Sequence, residues 1–304
     1  MSTDTRLSQI FEAALEIPVT PDSKLVLFSD CHRGDNSLAD DFAHNQSLFF
    51  FALSHYLENG FTYIELGDGD ELLENRHFSD IRNAHSHVFW LMSQFHQDNR
   101  LYLLWGNHDG ERRDPTIVEK TLYHYVDDRT GEVRPLFEGI QVHEGLILSH
   151  AASRRRALLV HGHQGDIMND SLYPLSKFLV RHLWRHLQLL GVPDPTSPAK
   201  NEVKQRKRER LLVSWVQKHG HGLIAGHTHR PRFPSPGELP YLNDGSCVHP
   251  RCITGLEIEN DQIALIKWWI QAGPQGHLTI TRDILAGPRL LADVLTGMSA
   301  CSWM

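Results

Sequence analysis

Cysteine is scarce in this 304-residue chain. Cys31, Cys247, Cys252 and Cys301 are all there are, with no paired metal-finger spacing and too few to staple a fold of this size. They suit a reducing compartment. Long apolar runs are missing too: no stretch approaches the roughly 20 residues a membrane-spanning helix needs, which excludes a transmembrane protein. Met1 to Glu16 carries Asp4, Arg6, Glu12 and Glu16, without a basic flank, an apolar block or a small-residue cleavage site. Nothing there reads as an export signal, and the expected location is cytoplasmic. The 22 Gly and 15 Pro follow no period, which excludes fibrous repeats, and 40% hydrophobic residues argue against disorder. What remains is a globular chain able to bury a substantial core.

Two things are in excess. The first is histidine, 21 residues of the commonest metal-ligating side chain. The second is local positive charge. From Ser176 to Lys218 ten Lys and Arg stand against three acids, a surplus of seven on a chain whose formal net charge is −7. A basic segment on an acidic body suggests an anionic partner there.

Periodicity organises the rest. Leu7, Ile10, Phe11, Ala14 and Leu15 make the stripe of a short amphipathic helix, with Pro18 as its stop. Five short apolar runs read as buried strands: Leu25 to Phe28, Tyr63 to Leu66, Leu101 to Trp105, Ala157 to Val160 and Leu223 to Ala225. Helices are expected between several of them, at Asp40 to Glu58 closed by Gly60, and at Asp114 to Val126 opened by an Asp cap and Pro115. Strands alternating with helices predict an α/β fold, with ligands beyond the carboxyl ends of the strands. Runs at Cys252 to Ile258, Gln262 to Ile270 and Leu278 to Thr281 read as antiparallel strands closing a second sheet.

A polar cluster follows each of the five runs at once, and together the clusters offer Asp30, His32, Asp68, Asn107, His161, His227 and His229. Nitrogen and oxygen donors without a thiolate suit Mn, Fe, Co or Zn better than calcium. Seven ligands are too many for one ion and enough for two, if one carboxylate bridges. Two such cations lower the pKa of a water and clamp the oxygens of a phosphoryl centre, which predicts hydrolysis of a phosphate ester or anhydride. Singly each string reads as a turn, cap or loop; jointly, five in order at strand ends point to function.

These strings, Asp-x-His at 30 to 32, Gly-Asp-x-x-Glu at 67 to 71, Gly-Asn-His-Asp at 106 to 109, His-Gly-His at 161 to 163 and Gly-His-x-His at 226 to 229, resemble the calcineurin-like metallophosphoesterases. The resemblance implies a layered α-β-β-α sandwich, a single domain over 1–304. It implies two divalent ions, manganese first and Fe, Zn or Co as alternatives. Asp30, His32 and His229 would hold one, Asn107, His161 and His227 the other, and Asp68 would bridge. His108 takes the place of the catalytic histidine, with Asp109 orienting its ring. Asn243 to Ser246 resembles the turn behind the metal loop and reads as scaffold. His163 stands beside a ligand and is read as a support to it, a substrate contact or a residue without a role, Asp70 reads as a solvated carboxylate, and Cys31 is expected to point away from the ligands flanking it.

Between His161 and His227 lie 65 residues, more than a simple return requires, and 167–219 reads as a helical insertion near the metal site. Tyr173 to Leu190 has helical spacing, with Lys177, Arg181 and Arg185 recurring every four residues opposite a leucine side. After a break at Gly191 to Pro198, a second helix carries Lys204, Arg206, Lys207, Arg208 and Arg210. This basic hairpin is either a solvated face or a lid, in which Lys177, Arg181 and Arg185 hold phosphates while Phe178, Leu179 and Trp184 meet acyl chains or the inner face of a membrane. The insertion, Gly-Asp-x-x-Glu and Gly-His-Thr-His-Arg-Pro at 226 to 231 are similar to the UDP-2,3-diacylglucosamine pyrophosphatases, which implies an amphiphilic, nucleotide-linked substrate. His108 stands where those enzymes usually have Arg, and His163 where they usually have Asp. Protein or small-molecule phosphomonoesterase, phosphodiesterase and nuclease are the alternatives, the last disfavoured by few aromatics and an acidic body. A non-catalytic scaffold would be expected to lack ligands, and none is missing. The oligomeric state stays open.

Overall fold

The computed structural model of the chain describes residues 2–165 and 202–296. The helix expected at 173–190 with Lys177, Arg181 and Arg185, the break at 191–198 and the tail beyond 296 lie outside the described residues. The fold is mixed α/β with several sheets. Its first half runs α1 (Thr3–Ala13), β1 (Leu15–Val19), β2 (Leu25–Phe28), α2 (Gln46–Glu58), β3 (Thr62–Glu65), α3 (Phe78–Ala84), α4 (Ser86–Gln97) and β4 (Leu101–Leu104). A 3-10 turn (Gly110–Arg113), α5 (Pro115–Leu122), β5 (His124–Val126), β6 (Val133–Pro135), β7 (Val142–His143), β8 (Gly145–His150) and β9 (Arg156–Val160) follow. After the undescribed segment come α6 (Glu202–His219), β10 (Gly222–Ala225), β11 (Tyr241–Asn243), β12 (Cys252–Glu259), β13 (Gln262–Ala272), β14 (Leu278–Leu290) and α7 (Leu291–Thr296).

All five apolar runs are strands, but they divide between two sheets. β2, β3 and β4 run parallel within the order β14-β13-β12-β2-β3-β4-β7, whereas β9 and β10 are neighbours in β1-β8-β9-β10-β11. The C-terminal strands therefore do not close a second sheet. β12 pairs antiparallel with β2, Leu256 opposite Leu27, and extends the first. Its six inner residues are buried on both faces, which requires a place inside a sheet with cover on each side.

Alternation along the strands sorts the core into three clusters. One joins inward residues of both sheets, including Leu25, Leu27, Ile64 and Leu256 from one and Leu146, Leu148, Leu159 and Ile224 from the other. A second joins the opposite face of the seven-stranded sheet to α2, α3, α4 and α5 through Phe28, Tyr63, Phe49, Phe89 and Val118. The third packs α1 and α6 on the five-stranded sheet through Leu7, Ile10, Leu212, Trp215 and Leu158. Leu291, Val294 and Leu295 of α7 are buried against the body.

Element ends differ from the periodic reading for local reasons. Pro18 does not stop α1, which ends at Ala14 in extended conformation; the proline lies in β1, an edge strand where its missing N–H is tolerated. α2 starts at Gln46 rather than Asp40, because the Asp40 carboxylate accepts from the amides of Asn36 and Phe42 and holds a loop instead. α5 is capped by Asp114 as expected but ends at Leu122, and His124 to Val126 pairs with β6.

Candidate metal centre

Every expected ligand lies just past a strand end, where the backbone turns sharply. Asp30, His32, Asp68, His227 and His229 all adopt positive φ, between 48 and 66°. An L residue held there costs on the order of 1 kcal/mol or more, so the surroundings must impose it. They do so by prolonging the parallel pairing of β2 and β3 beyond the strands: the amides of Asp30, His32 and Arg33 donate to the carbonyls of Gly67, Asp68 and Gly69 at 2.9 to 3.1 Å. Gly106 is required by close approach, since a Cβ there would lie 2.1 Å from Asp68 Oδ1.

Three groups of potential ligand atoms result among the described residues, one of which, His32, Glu71 and His108, includes the expected acid; the other two hold the expected ligands. Asp30, His32 and His229 form one, and Asp68, His161 and His227 the other, with ligand atoms of each group within 4.8 Å of one another. In the first group His229 from the five-stranded sheet meets Asp30 and His32 from the seven-stranded one, and in the second His161 and His227 from the five-stranded sheet meet Asp68 from the other. Asp68 Oδ2 is 3.0 Å from His161 Nε2 and 3.8 Å from His32 Nε2, so the carboxylate lies between the groups. Asn107 brings its buried Oδ1 from the loop after β4.

Each carboxylate has one oxygen anchored and one presented. Asp30 Oδ2 accepts from Ser29 Oγ at 2.5 Å and from the His227 amide at 2.8 Å, while Oδ1 faces His229 Nε2 at 3.0 Å. Asp68 Oδ1 accepts the His108 amide at 2.7 Å. The Nδ1–H of His161 donates to the Leu66 carbonyl at 2.9 Å, which fixes the tautomer and turns the lone pair of Nε2 inward. Asp30 Oδ1, His32 Nε2, Asn107 Oδ1 and His161 Nε2 are buried with no hydrogen-bond partner. Leaving such atoms unsatisfied costs roughly 1–3 kcal/mol each, and divalent cations would satisfy all four. Burial opposes ionisation of Asp30, yet His229 and His161 hold its carboxyl well below the usual range; burial likewise opposes the His161 proton, but Asp68 and Asp30 push that imidazole up to about 9. A proton stands where a cation would serve the same carboxylates.

The ring expected to do acid chemistry is placed differently from the motif reading. Asp109 does not orient His108. It accepts from the amides of Gly106 and Gly69 and pairs with Arg112, while Glu71 Oε2 takes His108 Nδ1 at 2.6 Å and His32 Nδ1 at 3.0 Å. The shorter Asp109 side chain, next to His108 in sequence, turns back into its own loop. Asp70 is not a solvated carboxylate either. It is fully buried between Arg33, at 2.6 Å, and Arg112, while Arg33 also forks onto Glu65 at 2.7 and 2.8 Å. Arg33, Glu65 and Arg112 carry no motif, and the Arg33–Glu65, Arg33–Asp70 and Arg112–Asp70 pairs are 32, 37 and 42 positions apart in sequence; only the parity of buried charge could have paired them.

Behind the metal loops, Asn243 donates to the Gly226 carbonyl at 2.6 Å and Asp244 meets Ser29 Oγ at 2.7 Å, the scaffold role expected of this turn. Cys31 is buried in the outer helical cluster, away from its neighbours' ligand atoms. His163 is buried beside Trp105 and His161, ring centroids 5.2 and 5.5 Å away. Burial, then His161 and His227, and more weakly Arg208, hold its pKa well below the ordinary imidazole range. Arg208 belongs to α6, which the sequence pattern assigns to the insertion. From Gln205 onward this helix packs on the five-stranded sheet and bonds two metal loops, Gln205 to the Thr228 carbonyl at 3.1 Å and Arg208 to that of Gln164 at 3.2 Å.

No protein-family model matches the chain, and no curated protein matches it. Among solved structures, Vps29 of Chaetomium thermophilum aligns over 88% of this chain and 97% of its own, with 11% identity and a TM-score of 0.41. A Staphylococcus aureus protein provisionally described as a 5'-nucleotidase, in complex with alpha-ketoglutarate, aligns over 91% of this chain and 55% of its own, with 13% identity and a TM-score of 0.33. Likenesses this distant say nothing of the chemistry, which rests on the chain's own residues. Among the described residues no helix is long and apolar enough to cross a membrane.

Proposed function

We propose that this chain is a metal-dependent hydrolase of phosphate esters or pyrophosphates, built as the α-β-β-α sandwich of the calcineurin-like metallophosphoesterases around two divalent ions. The observation that carries this reading is the pair of ligand groups with Asp68 between them, three of whose buried donor atoms, together with Asn107 Oδ1, have no hydrogen-bond partner among the described residues. Asp30, His32 and His229 would hold one ion, Asn107, His161 and His227 the other, and Asp68 both; manganese is the first choice, with Fe, Zn or Co as alternatives. Bound there, the ions supply an activated water and neutralise charge on phosphoryl oxygens.

The remaining chemistry falls to His108. Glu71 fixes Nδ1, so the exchangeable proton is that on Nε2. Burial would strip the ring of its charge, but Glu71 and Asp68 outweigh it and raise the pKa. His108 is thereby kept as an acid, ready to pass the Nε2 proton to the leaving oxygen.

The substrate to try first is the nucleotide-linked lipid pyrophosphate UDP-2,3-diacylglucosamine, with the basic insertion as its acyl lid and a peripheral contact at the inner membrane face. Mn-loaded protein, with a metal-free control, is incubated with this lipid and the products separated by mass spectrometry. UMP and the acylated sugar phosphate support the assignment. Cleavage of an aryl phosphate alone keeps the hydrolase and rejects the lipid. No cleavage of either with Mn, Fe, Co or Zn overturns the reading.

A further inference from the structure

We infer that Ser153, His150 and Asp261 form a second reactive site, in which Ser153 is a nucleophile that takes the acyl group of an anionic carboxylic ester; it is separate from the metal centre and independent of the hydrolase reading. His150 Nδ1 lies 2.7 Å from Ser153 Oγ, and Nε2 of the same ring lies 2.6 Å from Asp261 Oδ1. The Ser153 amide also donates to Nδ1, at 3.2 Å, which requires a lone pair on that nitrogen and leaves the ring proton on Nε2, facing the carboxylate. Hydroxyl, imidazole and carboxylate thus stand in the order that general-base activation of a serine needs. The site is remote from the metals. In the antiparallel ladder of β8 and β9, His150 follows the Ser149–Arg156 pair and His161 follows the Gly145–Val160 pair, so the two lie at opposite ends, on the order of 14 Å apart along the strands.

The backbone holds all three residues in place. The turn after β8 is closed by the His150 amide on the Arg155 carbonyl and the Arg154 amide on the His150 carbonyl, both at 2.8 Å. Asp261 comes from the other sheet: with Asn260 it makes the two-residue connection of β12 to β13, and both have the positive φ, 61 and 53°, that such tight hairpin turns need. A turn alone would explain the bond between serine and histidine, but not a carboxylate brought from another sheet to the far side of the ring. The imidazole is buried, 2% exposed, whereas Ser153 is open to solvent, so the base is shielded and the hydroxyl is accessible. Arg154 and Arg155, next in the chain, form no ion pair among the described residues, and positive charge there favours an anionic reagent. As the Oγ proton passes to Nδ1, Oγ bonds to the ester carbonyl carbon; the bond from that carbon to the alcohol oxygen breaks, and the alcohol leaves with the proton from Nδ1.

The test treats the full chain, with and without divalent metals, with the mono-p-nitrophenyl ester of glutaric acid and locates the glutaryl group by peptide mass spectrometry. In wild type Ser153 is acylated faster than the exposed Ser235, whether or not metals are present. Asp261→Asn keeps a residue that suits the turn, but its amide donates to Nε2 and moves the ring proton to Nδ1, so acylation of Ser153 slows roughly tenfold or more while the melting temperature holds. Ser153→Ala carries no glutaryl group on this turn. Acylation of Ser153 no faster than that of Ser235, an unchanged rate in folded Asp261→Asn, or labelling that disappears with the metals overturns the site. The free arginines predict faster acylation by the glutarate than by neutral p-nitrophenyl acetate, and equal rates overturn the preference for an anion.

Discussion

Glu71 holds His108 through a 2.6 Å contact between Oε2 and Nδ1, and the same oxygen lies 3.0 Å from Nδ1 of His32. One carboxylate therefore aligns both an expected ligand and the expected acid. Activity that needs protonated His108 is full below its pKa and is lost as pH rises through it. Glu71→Gln removes the charge that raises this pKa, so the alkaline limb of kcat moves to lower pH. His108→Ala lowers kcat by about 10²–10⁴ with metal content unchanged. A kcat–pH profile with an unmoved alkaline limb would remove His108 from the role of acid.

Asp68 lies between the two ligand groups. In Asp68→Asn both metals are expected to weaken together, measured as metal stoichiometry after dialysis. Retention of one ion at full occupancy with loss of the other would contradict the shared position.

Among the described residues Asp70 is the one carboxylate that pairs with both Arg33 and Arg112, and all three are buried. Asp70→Ala leaves two guanidinium groups short of a partner, a loss of about 3–5 kcal/mol. For a chain of this size that lowers Tm by on the order of 10 °C. A melting temperature within about 2 °C of wild type would show the arginines to be held well enough by Glu65 and Asp109 alone.

Much of this was legible in the sequence. Strand identity was, because four- and five-residue apolar runs ending in Gly and Asp leave few other readings, and so was the convergence of Asp30, His32, Asp68, His161, His227 and His229. Sheet membership was not. β9 and β10 look like β2 and β3 in composition, and only hydrogen bonding to β8 and β11 assigns them to another sheet. The partner of His108 was missed because adjacency favoured Asp109, although Glu71, a residue longer by one methylene and 37 positions away, is the one within reach. Arg208 read as part of a charged face, since helical spacing records which residues share a side and says nothing of what covers that side.

Asp244 and Asp30 meet the hydroxyl of Ser29 from two directions. One hydroxyl proton cannot serve two carboxylates, so one acid must be neutral. Burial and the nearby charge of Asp30 raise the Asp244 pKa well above the usual range and make it the neutral member. Asp244→Asn, whose amide donates as the neutral acid does, should keep Tm within about 2 °C of wild type. Ser29→Ala breaks the chain and costs about 1–3 kcal/mol, read from denaturant unfolding. A greater loss in Asp244→Asn than in Ser29→Ala would reverse the assignment.

Asp40 supplies a pH test away from the metals. Burial pushes its carboxyl up, but the hydrogen bond to His85 and the loop amides outweigh this, and its pKa lies below the ordinary 3.8. Stability from a depressed carboxyl is present above the unfolded pKa and lost as pH falls through the folded one. Wild type therefore loses stability below about pH 4 more steeply than Asp40→Asn. Parallel stability curves for the two proteins across that range would show that the His85 contact contributes nothing.

Both ligand groups draw residues from the two sheets, whose facing surfaces are apolar side chains that resist separation but offer little against sliding. A cation held jointly by Asp30 and His229, or by Asp68 and His161, would act as a rivet across that seam. The register between the layers would then be set by the ions as much as by the packing.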